Sequence, residues 1–567
     1  MREPNAPRLA DPVVLVCLML SIAVQLPDGI RFGDGLEFVA VSSHLGVAHP
    51  PGYPLFTLLG WIALSVLPCD PYNAVLWMCK FAAFAGAAGL YYWLRHLLAR
   101  MGVAPMRCVL GAGLTAAIFT FSGPMWPTQH LVEAYGLNAT FLVWISYLLA
   151  RATQEGGPTG RSLVLAGLLL GLALGNHITS GCLLPALLIV AWRAKRITGW
   201  VAPTVALSLV VIVPALLYGS LILRVPSNDV AGIAWGSTVD IASLIHHMRG
   251  GDYGGRLLLM QDVNTPFTFT TWLSFAWERT LLVLHILGQI LLVQAAWFAA
   301  IPLAALAVFG LFARASNGRR AVSVGVIIAV LLQLGFVFTF NVPDIHDHVL
   351  GVIVLAVPFT VAGTVSLSNF RKLAVVRRLG SLGMSTVLGV TLVVTVIANA
   401  PAAFPEGHDI APRWRDRLLK QVPEGSALIT VDDSDLFALW YTQMACGERT
   451  DIAVFGGNFV GCPWFRQSMP PGDRRRGVVG FRERPFGTLD EYISDLRDHV
   501  IEPFFATGSR VFTTMHREIE RTALGKVYDL RFVSDLLTLD EFNVLVKRSQ
   551  DRMYHGAPSL FEVLKKH

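Results

Sequence analysis

Apolar runs close to the length that crosses a lipid bilayer constrain this chain more than any other feature. About eleven are found, at residues 12–27, 74–94, 108–123, 137–150, 162–176, 180–192, 200–223, 281–313, 321–340, 348–365 and 380–400. A hydrocarbon core about 30 Å thick needs about 20 mostly apolar residues in a helix. The sequence therefore predicts a polytopic α-helical membrane protein with about 11 transmembrane helices. Because Pro27-Asp28-Gly29 follows the first run in place of a small-residue cleavage site, that run is expected to stay as an anchor.

Charge divides the chain into two parts near residue 400. Residues 1–400 carry 38 charged side chains, whereas the 167 residues 401–567 carry 46. This predicts a transmembrane domain over residues 1–400 and a soluble domain over residues 401–567. The second part alternates a strand, a helix and a strand, which is typical of an α/β domain: Ala427–Val431, Leu436–Ala445 and Asp451–Phe455. The division excludes a single soluble enzyme and a disordered chain.

The positive charges predict the orientation in the membrane. With the N-terminus in the cytoplasm, the Arg and Lys clusters at alternate helix ends all fall on the cytoplasmic side. Of the 15 acidic residues before residue 400, only Glu3, Asp11 and Glu155 then face inward. An odd number of spans places the soluble domain outside, so a site of this protein should open on the outer face. The net charge of +6 records this orientation and gives no reason to expect a nucleic-acid partner.

The first outer loop, residues 28–73, is the most informative segment. Asp34 and Glu37 are three residues apart, so on a short helix both carboxylates share one face. The sequence His49-Pro50-Pro51-Gly52-Tyr53-Pro54 cannot continue a helix and forces a defined bend. One interpretation is that the two acids cap and solvate the start of a helix. The other is chemical, because a carboxylate can take the proton of an acceptor hydroxyl while a sugar leaves phosphate.

These segments resemble the transmembrane protein 260-like family, also described as domain of unknown function 2723. The resemblance lies in Asp34–Phe38 with His49–Leu55, and continues in Glu133–Asn138, Gly175–Thr179 and Leu428–Tyr441. It implies a GT-C fold and a glycosyltransferase similar to the protein O-mannosyltransferases. It also implies a polyprenyl-phosphate-linked sugar donor, a protein or glycan acceptor, and inversion at the anomeric carbon by direct displacement. The expected location is the bacterial inner membrane, with the soluble domain in the periplasm and membrane lipids as further partners.

Carried over residue by residue, the resemblance makes Asp34 the first candidate base and Glu37 the second. His49 and Tyr53 would shape the substrate pocket. Glu133 and Tyr135 would also bind substrate, although Glu133 has an alternative role as a solvated acid at a helix start. His177 is a further candidate, whose alternative is a turn of hydrogen-bonding polar residues.

Two other outer segments carry candidate ligands. Arg249 and Arg256 lie in a glycine-rich loop and could grip a lipid phosphate, or belong to a flexible solvated loop. Asp344, His346 and His348 would share one face of an extended segment and could bind a divalent metal. The rim of a substrate cavity is the preferred reading of that segment, so no metal or other cofactor is expected.

A transporter or flippase of a lipid-linked or small polar substrate is the alternative function. Such a protein should show paired interrupted helices and ionisable residues near the middle of the bilayer. The sequence shows no internal repeat, and its polar groups crowd one face. A membrane-anchored sensor would leave the acids of the first loop unexplained. The sequence therefore favours the enzyme.

Overall fold

The protein forms two compact units, each assembled from separate stretches of the chain. The computed structural model describes residues 9–24, 30, 33–122, 125–153, 159–224, 232–250, 277, 281, 320–339, 350–368, 380–403, 415–416, 419–420, 422–430, 433–456, 459, 462, 464–465, 511–513 and 531–532. Unit 1 contains residues 1–27, 76–216 and 257–405. Unit 2 contains residues 28–75, 217–256 and 406–567. The predicted outer loop 28–73 thus belongs to the same compact unit as the residues after 405.

Helices dominate the described part of the chain. They are α1 Ala10–Ala23, α2 Asp34–Ser43, α3 Pro54–Val66, α4 Pro71–Arg100, α5 Pro105–Thr120, α6 Ala134–Ala152, α7 Thr159–Leu174, α8 Leu184–Thr198, α9 Val201–Ile222, α10 Ile241–Met248, α11 Arg320–Thr339, α12 Leu350–Ser368, α13 Gly380–Ala403 and α14 Asp433–Trp440. Short 3-10 segments cover Pro127–Gln129, Ile178–Leu183 and Trp235–Ser237, and a π-helical turn covers Tyr441–Ala445.

Three of the described helical segments are long and apolar enough to cross a membrane by length and composition: Pro71–Arg100, Ile178–Thr198 and Val201–Ile222. Seven shorter apolar helices accompany them in the described ranges. Where the structure describes the predicted runs, they therefore coincide with helices to within a few residues at the ends. The run 281–313 lies outside the described residues except for residue 281, and the count of 11 spans stays a prediction.

Small residues let the helices of unit 1 approach closely. A Cβ on Gly167 of α7 would lie 2.4 Å from the Ala206 carbonyl oxygen of α9, and one on Gly171 would lie 2.5 Å from the Leu209 carbonyl oxygen. Helices in lipid pack through such small residues because there is little hydrophobic driving force between them. The glycine pair on α7 therefore fixes its close contact with α9.

Unit 2 joins the first-loop helices to a parallel sheet. The strands β1 Ala427–Thr430, β2 Ala453–Gly456, β3 Val511–Thr513 and β4 Arg531–Phe532 are parallel and ordered β2-β1-β3-β4. The sequence places the first two strands correctly, but the helix between them, α14, begins at Asp433, three residues before the predicted start at Leu436. Asp433 and Asp435 form its first turn, where carboxylates are stabilised by the positive end of the helix dipole.

Candidate active site

The first turn of α2 carries the two predicted acids. Gly33, at the N-cap, has a φ of +124°, a conformation that favours glycine. Asp34 and Glu37 follow in the first turn and share a face, as their spacing predicts. Their surroundings differ strongly, since the Asp34 side chain is 46% exposed and that of Glu37 is 0% exposed. The accessible carboxylate of this pair is therefore that of Asp34.

Both oxygens of the buried Glu37 carboxylate are taken up by one residue, His49. Oε1 accepts the backbone N–H of His49 at 2.8 Å, and Oε2 lies 2.5 Å from the imidazole Nδ1. The other ring nitrogen, Nε2, lies 3.8 Å from Oδ2 of Asp34. The imidazole thus stands between the buried and the exposed carboxylate. The structure brings Asp34, Glu37 and His49 together, as the sequence predicts for a site in this loop.

The bend that returns His49 to α2 is built from the proline and glycine residues. The Gly52 N–H donates to the His49 carbonyl at 2.8 Å, and Gly52 has a φ of +102°. The backbone of Tyr53 is also in the left-handed region, with a φ of 43°, and Pro54 begins α3. Arg224 braces this start, donating to Thr57 Oγ1 at 2.8 Å and to the Pro54 carbonyl at 3.2 Å. The loop is therefore tied at both ends.

Aromatic rings enclose the His49 imidazole. The ring centroids of Phe38, Tyr53 and Trp235 lie 5.3, 5.0 and 6.2 Å from that of His49. Trp235 itself stacks on Trp464, with centroids 4.4 Å apart and an interplanar angle of 22°. These rings leave the His49 side chain 14% exposed. Packing of this kind holds the imidazole in one orientation.

Behind the bend lies a second histidine, His247 of α10. Its side chain is fully buried, and a Cβ on Gly52 or Gly236 would lie 3.1 Å from its Nε2 or 2.7 Å from its Nδ1. Burial, and then the neighbouring His49, lowers the pKa of His247 to about 3. His247 is therefore a neutral ring filling the slot between two glycine-containing turns.

Unit 1 contains the other predicted cluster, around the short turn that precedes α8. His177 is buried, and its Nδ1 accepts the Thr179 N–H at 3.3 Å, while the Tyr135 ring centroid lies 5.4 Å from the His177 ring. Asn138 of α6 donates to Thr179 Oγ1 at 3.1 Å and accepts from Ser180 Oγ at 2.5 Å. This is a buried network of neutral groups.

The remaining candidates take separate positions. Glu133 is half-buried at the N-cap of α6 in unit 1, and Arg249 is exposed at the end of α10 in unit 2. Arg256 and the segment 344–348 lie outside the described residues. Within the described ranges, no three His, Cys, Asp or Glu side chains are grouped so as to hold a metal ion.

Sequence reasoning missed several residues of these clusters. Trp235 gave no signal, because its partners His49 and Trp464 are far from it in sequence. Asn138 closes the segment that carries Glu133 and Tyr135, so the segment could have drawn attention to it. His247 stands beside His246 in the sequence, and adjacent histidines on a helix or strand are poorly spaced to share a metal ion. The two side chains do point apart, since His246 is exposed.

Residues 34–199 match the family model described as the protein O-mannosyl-transferase TMEM260 N-terminal domain. The chain is 23% identical over 509 residues to the Protein O-mannosyl-transferase TMEM260 of Mus musculus, over 83% of this chain and 66% of the relative. It is 33% identical over 134 residues to the Protein O-mannosyl-transferase tmem260 of Dictyostelium discoideum, over 23% of this chain and 15% of the relative. The chain thus spans just under two thirds of the mouse relative.

Two solved structures are similar at greater distance. ArnT from Cupriavidus metallidurans, bound to undecaprenyl phosphate, is 11% identical with a TM-score of 0.48, over 79% of this chain and 90% of that chain. The archaeal oligosaccharyltransferase AglB from Archaeoglobus fulgidus, in complex with an inhibitory peptide and a dolichol-phosphate, is 13% identical with a TM-score of 0.46. That similarity covers 90% of this chain and 70% of AglB.

The matched region contains α2, the His49–Pro54 bend and the His177 turn, so it includes the predicted residues of both clusters up to His177. Over residues 34–199 the chain is therefore similar to the N-terminal domain of the TMEM260 proteins.

Proposed function

We propose that this chain is an integral membrane glycosyltransferase of the GT-C type. It transfers a sugar, mannose in the first instance, from a polyprenyl-phosphate carrier to a hydroxyl of a protein or glycan. The family match over residues 34–199 and the names of the two curated relatives support the class of reaction and the sugar. The resemblance of the first-loop motifs supports the lipid-linked donor.

The arrangement around Asp34 is the observation that carries the proposal. Its carboxylate is 46% exposed at the start of α2, directly beside a buried carboxylate–imidazole pair. In the proposed step, Asp34 takes the proton of the acceptor hydroxyl as the acceptor oxygen bonds to the anomeric carbon. The bond from that carbon to the phosphate oxygen breaks, and its electron pair leaves with the polyprenyl phosphate. A single displacement inverts the anomeric centre and needs one base.

Further residues are proposed to bind substrate. Arg249, exposed at the end of α10, offers a guanidinium to the lipid phosphate. The family resemblance supports a substrate contact at Tyr53 in unit 2 and, as a separate proposal, at Glu133, Tyr135 and His177 in unit 1. The charge distribution supports a site on the outer face with the N-terminus in the cytoplasm, and the bacterial inner membrane is the proposed location.

Transfer can be tested directly with purified protein in lipid nanodiscs. The donor is polyprenyl-phosphate [3H]mannose, the acceptor a library of Ser- and Thr-containing peptides, and the readout radioactivity bound to peptide. We expect transfer by the wild type. Because positioned proton transfer contributes roughly 10²- to 10⁴-fold in enzymes, we expect Asp34→Asn to lose at least about 100-fold.

Asp70→Asn is the matched control, because Asp70 is an exposed acid of the same loop that caps α4 through the Asn73 N–H. It should keep full transfer. Transfer that survives in Asp34→Asn would remove Asp34 as the base. If the protein reconstituted in proteoliposomes instead moves intact lipid-linked sugar across the bilayer without transferring it, that result would support the transporter.

A further inference from the structure

The buried carboxylate of Glu37 needs a counter-charge, which the proposed base Asp34, itself an acid, does not supply. Its side chain is 0% exposed, and burying a carboxylate without a counter-charge is strongly unfavourable. Among the residues that the structure describes, His49 is the one ionisable group bonded to it. The balance of charge in this site therefore depends on the protonation of His49.

The hydrogen bonds restrict that protonation. The 2.5 Å contact between Glu37 Oε2 and His49 Nδ1 requires a proton between the two atoms. At the opposite side of the ring, Nε2 faces Asp34 Oδ2 at 3.8 Å. A neutral ring with its proton on Nδ1 would turn the Nε2 lone pair toward a second carboxylate, which is repulsive. An imidazolium presents an N–H to each carboxylate and neutralises one of the two charges.

Among the described contacts, the titratable groups that face His49 are Asp34 and Glu37 of α2, Tyr53 of the bend and His247 of α10. The two carboxylates favour a positive ring. Tyr53 contributes an uncharged ring face, and His247 is buried between glycines, where it has no counter-charge among the described residues. The described charged groups around His49 thus favour the protonated, positively charged ring.

We propose that His49 is held as an imidazolium between Glu37 and Asp34 and acts as a positioning residue for the base. Glu37 Oε1 and Oε2 fix the backbone and ring of His49, and the Nε2–H directs one oxygen of Asp34. In the proposed step, the other Asp34 oxygen takes the proton of the acceptor hydroxyl. The 3.8 Å separation exceeds a hydrogen bond, and rotation of the exposed Asp34 side chain can close it when substrate binds.

This role rests on the proposed glycosyl transfer and assigns Glu37 a structural task within it. No proton is gained or lost by His49 during the step, because the proton of the acceptor goes to Asp34. Glu37, fully enclosed and bonded through both oxygens, acts through His49 and does not contact the reacting atoms. The three residues thus divide into one base and a two-residue support.

The protonation state can be measured without any activity. Protein labelled with 15N-histidine in nanodiscs is examined by NMR near pH 8, where ordinary histidines are neutral. Of the 15 histidines, one should keep the signature of a doubly protonated ring, and His49→Gln should remove that signal. Glu37→Gln, which preserves size and removes the charge, should convert the signal to a neutral ring. His44→Gln, an exposed histidine of the same segment, should leave it unchanged.

A second readout is the pH dependence of transfer. The wild-type rate should fall at alkaline pH as His49 loses its proton. An opposite charge at this distance moves a pKa by about 1–3 units. In Glu37→Gln the alkaline fall in rate should therefore begin at least about one pH unit lower. His44→Gln should keep the wild-type profile.

A neutral His49 in the wild type at pH 7, or an imidazolium that persists in Glu37→Gln, would overturn the proposal. If Glu37→Gln does not fold, the wild-type and His49→Gln spectra still decide the protonation state. An imidazolium in a wild type that transfers no mannose would leave the Glu37–His49–Asp34 assignment standing and reject the proposed function. The two inferences therefore fail separately.

Discussion

His49 of unit 2 and His177 of unit 1 use the same ring nitrogen in opposite ways. Nδ1 of His49 lies 2.5 Å from a carboxylate oxygen and must share a proton with it. Nδ1 of His177 accepts a backbone N–H from Thr179, so that nitrogen carries no proton. Among the described contacts, the partners of the His49 ring nitrogens are acids, whereas those of His177 are the backbone amide and hydroxyl of Thr179. The first cluster is arranged to hold charge and the second to avoid it.

The difference follows from the cost of burial. A neutral polar group that is fully hydrogen-bonded can be buried among apolar helices at little cost, whereas a charge needs a partner or water. Asn138 accordingly joins Thr179 and Ser180 through hydrogen bonds between uncharged side chains. Asp34, the candidate base, is instead 46% exposed. We infer that the neutral network serves structure first, and the charged cluster chemistry.

Among substitutions that test the difference between the two clusters, Asn138→Leu in the neutral cluster is expected to have the largest effect on the free energy of unfolding. The change removes the hydrogen bonds to Thr179 and Ser180 and leaves buried hydroxyls without those partners. Each buried polar group left unsatisfied costs about 1–3 kcal/mol, so the free energy of unfolding should fall by about 3 kcal/mol. Thermal unfolding in detergent, followed by circular dichroism, measures the change.

Ser146→Ala on the same helix is the control. The Ser146 hydroxyl is buried, and no described residue accepts or donates a hydrogen bond to it. Its removal should change stability by less than about 1 kcal/mol. Equal losses from Asn138→Leu and Ser146→Ala would show that the network contributes nothing beyond packing.

Sequence patterns predicted the framework of both clusters. The apolar run 200–223 corresponds to Val201–Ile222, and the i, i+3 spacing correctly placed Asp34 and Glu37 on one face of a helix. These features are local, because helix period and proline restriction act over a few residues. They required no knowledge of the tertiary fold.

The partners of these residues could not be predicted in the same way. That Glu37 would bond to His49, twelve residues on, depends on how the Pro50–Gly52 bend closes. Trp235 meets Trp464 across more than two hundred residues of sequence. Such contacts are set by packing of the whole unit, which a single sequence does not encode in any local period. Sequence spacing alone therefore predicts Glu37 as a second candidate base and does not indicate its burial.

The charged cluster of Asp34, Glu37 and His49 depends on the backbone geometry of the bend. The neutral cluster around Asn138 depends on hydrogen bonds between side chains. Gly52→Ala tests the first dependence, because Gly52 has a φ of +102° and a Cβ there would lie 2.8 Å from Leu221 Cδ1. Left-handed strain and overpacking each cost roughly 1–3 kcal/mol, so we expect a loss of about 2–3 kcal/mol. Chemical denaturation in detergent would measure it, together with loss of the His49 imidazolium signal.

Gly219→Ala serves as the comparison for that substitution. Gly219 lies within α9, and a Cβ there meets nothing within 4 Å among the described residues. Because alanine loses less backbone entropy than glycine in a helix, this variant should be neutral or up to about 1 kcal/mol more stable. A Gly52→Ala protein as stable as Gly219→Ala would mean that the bend tolerates a side chain.

The smallest expected effect concerns His247, the neutral histidine beside the charged cluster. Its pKa in the folded protein is lowered to about 3 by burial and by His49, whereas an unfolded histidine titrates near 6.5. As the pH falls below about 6.5, the unfolded chain therefore takes up a proton that the folded chain excludes. Stability from this group is complete above that pH and is lost toward pH 3, by about 2 kcal/mol between pH 7 and pH 5.

Unfolding measured at pH 7 and pH 5 isolates this contribution when wild type is compared with His247→Gln. The variant should be less stable at pH 7, since glutamine fills the slot between Gly52 and Gly236 less well, yet its stability should fall less between the two pH values. His246→Gln, the exposed neighbour, should keep the wild-type dependence. If His247→Gln retained the full loss at pH 5, the acid sensitivity would belong to another group, and the charged cluster itself, Asp34 with Glu37 and His49, would be the first place to look for it.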